Sequence, residues 1–187
     1  MKAIVLSFIL AVLTAASVCS AAEPVSVAGV IDGETIQLTS GEKVRLIGID
    51  VPASSQNVKL REDMKSTGKD AATLTAVGKN ATKFLRKALK NENVVLEYDA
   101  SGKDKSGRRG AYVYLYLDPQ RNVKIPEDWY AELIPDTQER QLRVFLNATM
   151  IRTGYAQAMT PSLDVKRQEL FLKMQKEAQE QKKGLWK

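Results

Sequence analysis

Residues 25 to 50, VSVAGVIDGETIQLTSGEKVRLIGID, constrain the fold more than any other part of the sequence. VSVAGVID alternates small apolar and polar residues. ETIQLTS sets Thr35, Gln37 and Thr39 on one side and Ile36 and Leu38 on the other, and KVRLIGID repeats the alternation with Val44 and Leu46. A period of two marks strands with one buried face. DGE and SGEK supply tight turns between the runs. The folded part of the chain therefore opens as a three-strand meander.

The segments after Asp50 limit how that meander closes. Residues 53–73 are rich in Ser, Lys, Asp and Gly and read as a mobile loop. A helix is expected from about Leu74 to Lys90, where Val77, Ala81, Phe84, Leu85 and Leu89 share one face. NVVLEYD and AYVYLYL read as a fourth and a fifth strand, joined by the basic, Gly-rich turn ASGKDKSGRRG. Residues 118–141 form a long insertion with Pro119, Pro126, Trp129 and Pro135. Two helices are expected after it, one over 142–152 closed by Gly154 and one from Ser162 or Asp164 to about Lys182. Three strands, a helix, two strands and two helices make an α+β chain. A five-stranded barrel with a helix after its third strand is the OB-fold arrangement.

The N-terminus places Lys2 before an apolar run, Ala3 to Leu13, and then small residues. That is the order of a secretory signal peptide. Residues 1–22 are thus read as a leader, residues 23–187 as one domain, and the location as secreted or periplasmic. The apolar run is short for a membrane anchor, which needs about 20 residues. The single cysteine, Cys19, lies inside the leader. The chain has no histidine, so Ser-His and Cys-His triads, histidine bases and ordinary zinc sites are excluded. Catalysis is left to carboxylates, Arg, Lys and Tyr, or to a hard metal ion. The 28 Lys+Arg exceed the 22 Asp+Glu, a balance that suits a polyanionic partner.

Four stretches carry side chains suited to such chemistry. IDGET puts Asp32 and Glu34 two apart at a tight turn. VRLIGID puts Arg45 and Asp50 at opposite ends of one strand. DKSGRRG gathers Lys105, Arg108 and Arg109, and KKGLWK ends on Gly184 and Trp186. Singly, each reads as structure: a turn, a solvated strand face, a hairpin tip, a packed Trp. Together and in this order, with a helix leading into GYA between them, they resemble the staphylococcal nuclease family over residues 25–187.

The resemblance implies an OB-fold and a calcium-dependent phosphodiesterase, a monomer acting on DNA and RNA. It implies that Glu34 and Asp50 bind the ion, that Asp32 stands behind them, and that Arg45 and Arg108 grip the phosphate. Arg109 is a neighbouring candidate for the second grip, and Lys105 and Arg109 are further expected substrate contacts. The chain departs from the pattern in several places. Glu34 stands where well-known members have Asp, which moves the carboxylate out by about 1.5 Å. Val51 replaces Thr, and Ser106 replaces a Tyr. Ala53 falls where the family has a Glu that orients or deprotonates the attacking water. Glu62, beside Asp63 in LREDMK, is the expected replacement base.

Two further readings stand beside the nuclease. An OB-fold without its base is a binding module for nucleic acid or another polyanion. Tyr112, Tyr114 and Tyr116 alternate as a stacking platform would, although the same spacing suits packing against a helix. The insertion, with Trp129, Tyr130, Leu133 and Ile134, reads either as a partner-docking patch or as a flap packed on its own barrel.

Overall fold

The structure is a computed structural model that describes residues 23–100, 102–117, 124–134, 142–160 and 166–187. The expected leader lies outside the described residues, as do both ends of the 118–141 insertion and the expected start of the last helix. The meander forms as the alternation predicts, from β1 (Val25–Asp32), β2 (Thr35–Leu38) and β3 (Lys43–Leu46). Ile36 faces Val44 across the β2–β3 ladder, and both are fully buried. Register shifts between Val27 and Gly29 and between Val30 and Asp32 curl β1. One end of β1 thereby pairs with β2 and the other with β5 (Asn93–Glu97). Extra residues of this kind are how a sheet turns tightly enough to close.

Closure is made by β6 (Arg109–Leu115), antiparallel to β5 and parallel to β3. Strands β1, β2, β3, β6 and β5 complete a five-stranded barrel, so the OB-fold expectation holds. On the far side of β6 the sheet continues into β8 (Leu142–Phe145) and β7 (Ala131–Leu133). The third run of the meander breaks at Gly48, where φ is +72° and a side chain would collide with the Phe171 ring. Ile49–Asp50 then form a separate strand, β4, which pairs with β9 (Gln157–Ala158).

Two expectations need correction, and one left open is decided. Residues 53–73 are not a continuous loop: α1 spans Val58–Thr67. Asn57 caps it through a 2.9 Å bond from the Leu60 amide, and Gly68 ends it in the left-handed conformation. Residues 142–145, expected as the start of a helix, are β8, because Val144 and Phe145 find partners in Leu115 and Tyr114 of β6. The helix α3 begins only at Leu146 and runs to Arg152. The insertion, in its described part, packs on its own barrel. Trp129 meets Phe84 at 5.3 Å between ring centroids.

The long helix α2 (Ala71–Ala88) turns Leu74, Val77, Ala81 and Leu85 inward, as its periodicity predicts. The last helix, α4 (Gln168–Glu180), sets Phe171 and Met174 into the same core. Tyr112 and Tyr114 are fully buried, Tyr112 beside Phe171 of α4 and Tyr114 stacked on Phe145 at 4.5 Å. Packing, and not base stacking, accounts for both tyrosines.

One buried amide joins these parts. Asn147 of α3 donates to the Ile47 carbonyl at 2.9 Å and to that of Ala111 at 3.4 Å, and accepts from the Val113 amide at 2.9 Å. It ties the end of β3 to β6 where the barrel closes. Replacing Asn147 by Leu leaves the buried Ile47 carbonyl and Val113 amide short of a partner, each worth about 1–3 kcal/mol, while the Ala111 carbonyl keeps the Ile47 amide. Asn147→Leu is expected to destabilise the fold by about 3 kcal/mol or more, read as a lower urea midpoint at unchanged m value. A loss under a third of that would mean the barrel closes without this residue.

Candidate active site

Neighbouring strands bring the first half of the site together. Asp32 Oδ1 accepts the Glu34 amide at 2.9 Å, which folds the turn and aims Glu34 along the rim of β2. Thr35 lies opposite Arg45 in the β2–β3 ladder, so their side chains share a face. Glu34 Oε1 accepts from Arg45 Nε at 3.1 Å, and Oε2 accepts from the Val51 amide at 3.2 Å. Arg108 donates to Thr35 Oγ1 at 3.2 Å from the turn that enters β6. Both arginines therefore meet on one small patch of β2. Arg109 does not join them: its guanidinium lies over the Tyr98 ring, 3.6 Å from the centroid. Lys105 is exposed at the tip of the hairpin.

The hairpin itself holds Arg108 in place. Asp104 accepts from the Ser106 amide at 2.9 Å, from the Arg108 amide at 3.0 Å and from Arg108 Nε at 2.7 Å. Partial burial works against the Asp104 charge, but the Arg108 amide and guanidinium outweigh it and hold this carboxyl below the usual range. Glu34 behaves in the opposite way. Burial pushes its carboxyl above the usual range despite the Arg45 charge beside it, and nearby Asp50 adds to the rise.

The second half of the site arrives on α1. Lys59 and Asp63 are one turn apart on the same helix face. Lys59 Nζ lies 2.8 Å from Asp50 Oδ1 and 2.9 Å from Asp63 Oδ1. Asp50 Oδ2 accepts from Gln157 Nε2 at 3.0 Å, and Asp63 Oδ2 accepts the Ala53 amide at 2.8 Å. Burial weakens the Lys59 charge, but the hydrogen bonds to Asp50 and Asp63 outweigh it and hold the ammonium above its ordinary pKa. Glu62, the expected replacement base, is exposed on α1. The structure brings its neighbour Asp63 to position 53.

Ala53 is buried with Leu60, Leu74, Val77 and Leu185, and Trp186 packs against the same cluster. The backbone here lies against α2 so closely that a side chain on Gly78 would meet the Pro52 carbonyl oxygen at 2.3 Å. The methyl group thus seats α1, and the Asp63 carboxylate reaches the backbone of residue 53 from that helix. Sequence reasoning passed over Lys59, Thr35 and Gln157. The one available signal was local: Asn57 as a cap, with Lys59 and Asp63 beyond it at helical spacing.

The family described as "Staphylococcal nuclease homologue" matches residues 43–187. A thermonuclease of Staphylococcus intermedius is 37% identical over 133 residues, covering 63% of this chain and 71% of the relative. The chain belongs to the staphylococcal nuclease family. A thermonuclease of Staphylococcus hyicus is 29% identical over 160 residues, covering 84% of this chain and 72% of the relative. An uncharacterized protein of Methanocaldococcus jannaschii is also 29% identical, over 165 residues, covering 84% and 68%.

The calcium ion that the family resemblance implies does not fit the arrangement seen. Calcium takes six to eight oxygen ligands. All four carboxylate oxygens of Glu34 and Asp50 already accept N–H donors, two of them from Arg45 and Lys59. Among the described residues, no three acidic side chains gather closely enough to hold a metal.

A Glu at position 53 would put a second carboxylate beside Asp63 in an apolar pocket. Ala53→Glu is expected to cost about 3 kcal/mol of stability and to loosen α1, read by denaturation and by hydrogen exchange at Leu60. A variant as stable as the parent would show that α1 does not depend on the methyl group.

Proposed function

We propose that this chain hydrolyses phosphodiester bonds in DNA and RNA, with Arg45 and Arg108 gripping the phosphate. One observation carries the reading: in a member of the staphylococcal nuclease family, an arginine of β3 and one from the hairpin before β6 meet at Thr35 and Glu34. A phosphodiester gathers negative charge on its equatorial oxygens as water attacks phosphorus. Guanidinium forks held in place beforehand stabilise that charge without reorganising. Asp104 orders Arg108, and Glu34 orders Arg45. Asp32 acts through Glu34 by fixing its turn. Lys105 and Arg109, near the same hairpin, add positive charge for the flanking chain. The leader-like order of residues 1–22 supports action outside the cell or in the periplasm. No described helix is long and apolar enough to cross a membrane.

Water activation is the weak step of this enzyme. Ala53 cannot take a proton, and a positioned base is worth about 10²- to 10⁴-fold. Asp63 stands nearest the position, with both oxygens engaged. The enzyme is therefore slow relative to members that carry Glu there. The resemblance also implies calcium, which the engaged oxygens of Glu34 and Asp50 do not fit. The same loss favours a second reading, a module that holds nucleic acid without cutting it.

The test is a time course on single-stranded DNA and on RNA. Arg108→Ala and Arg45→Ala should each lower kcat/KM by about 10²-fold or more. Arg108→Lys should recover little, because an ammonium cannot make the two-point contact. Cutting that survives both alanine variants would end this assignment. Salt-sensitive binding with no cutting by the parent would establish the binding module.

A further inference from the structure

We propose that the Lys59 ammonium is the resident cation of this site, held on Asp50, one of the two carboxylates to which the family resemblance assigns calcium. The inference rests on the reading of Glu34, Asp50 and the two arginines as the phosphate site. Its carrying observation is the bridge itself, with Nζ 2.8 Å from Asp50 Oδ1 and 2.9 Å from Asp63 Oδ1. An ammonium has three donors, and this bridge uses two. The Lys59 side chain is 35% exposed, so the bridge lies within reach of solvent.

The bridge is built into the fold. Lys59 rides on a helix capped at both ends, by Asn57 and by Gly68. Leu60 fixes that helix in the pocket under Ala53. Asp63 pins it a second time through the Ala53 amide. A lysine held this way has given up much of the rotamer freedom that makes exposed ion pairs weak. A calcium ion must displace it from Asp50, and must also take Glu34 from Arg45 and the Val51 amide. The chain thus supplies in one piece the positive charge that otherwise comes from solution.

Removing the ammonium then leaves two facing carboxylates that a calcium ion can bridge with water completing its shell. In Lys59→Met and Lys59→Gln, Asp50 and Asp63 face each other with no cation between them. Thermal melts with and without millimolar calcium read this directly. The parent and Lys59→Arg should show no shift. The Met and Gln variants should melt lower without the ion and gain about 5 °C with it, the response expected of a ligand well above its Kd. Calcium that raises the parent's Tm as far as the variants' overturns the inference, and so do variants indifferent to calcium. If both neutral variants fail to fold, the parent decides the matter. Oligonucleotide affinity equal in calcium and in chelator supports a resident cation, and a tenfold loss in chelator refutes it. A parent that cuts nothing but shows this calcium pattern would remove the nuclease reading and leave Lys59 in its role.

Discussion

The parallel pairing of β3 with β6 is the contact on which the rest of the molecule depends. Without it the five strands are an open curl, and no two of the arginines are neighbours. With it, β3 is held between β2 on one side and β6 on the other. Arg45 then lies opposite Thr35 on one strand and opposite Gly110 on the next. Arg108, at the entrance to β6, is carried to the same patch. Parallel pairs between distant segments are costly in chain entropy, and here Asn147 offsets part of that cost by bonding to both sides of the seam.

The site is thus made of two kinds of structure. Arg45 stands on a barrel strand, and Glu34 and Arg108 stand in turns that enter barrel strands, so closure fixes the geometry of all three. Asp50 belongs to a short strand that leaves the barrel at Gly48 and is aligned by Gln157 across the β4–β9 pair. Lys59 and Asp63 belong to a helix laid over the barrel, joined to it through one amide and one apolar pocket. Glu34 spans the two parts, with one oxygen on Arg45 and the other on the amide after Asp50. Buried as it is, it stays in place because both oxygens are satisfied.

Much of the barrel was legible in the sequence, because strand alternation is a local signal. The meander, the face of α2 and the turn at Asp104–Gly107 are all written in residue spacing. Segments that were not legible depended on partners far along the chain. LRVF at 142–145 has no strong preference of its own and becomes a strand only where Tyr114 and Leu115 wait for it. The polar composition of 53–73 hid α1, whose buried face is just Leu60 and Asp63. A helix with so narrow an apolar stripe looks like a loop to any reading based on hydrophobic periodicity. The same concealment pointed to Glu62 as the carboxylate when its neighbour faces the site. Asp32, Glu34, Arg45, Asp50 and Arg108 could be singled out because their order along the chain is distinctive, and Lys59 could not, because its meaning lies in Asp50 and Asp63.

The way α1 is seated has a consequence for the chemistry of the site over time. Lys59 cannot leave Asp50 alone; it leaves with its helix, or its side chain must break two ionic hydrogen bonds at once. The helix is ten residues long, and its hold on the barrel is narrow. Segments of that kind open locally at a free energy well below that of global unfolding. The opening equilibrium of α1 therefore sets how long Asp50 is bare to solvent. Heat, mild denaturant or a ligand that favours the raised helix changes the cation preference of the site without touching any of its charged groups.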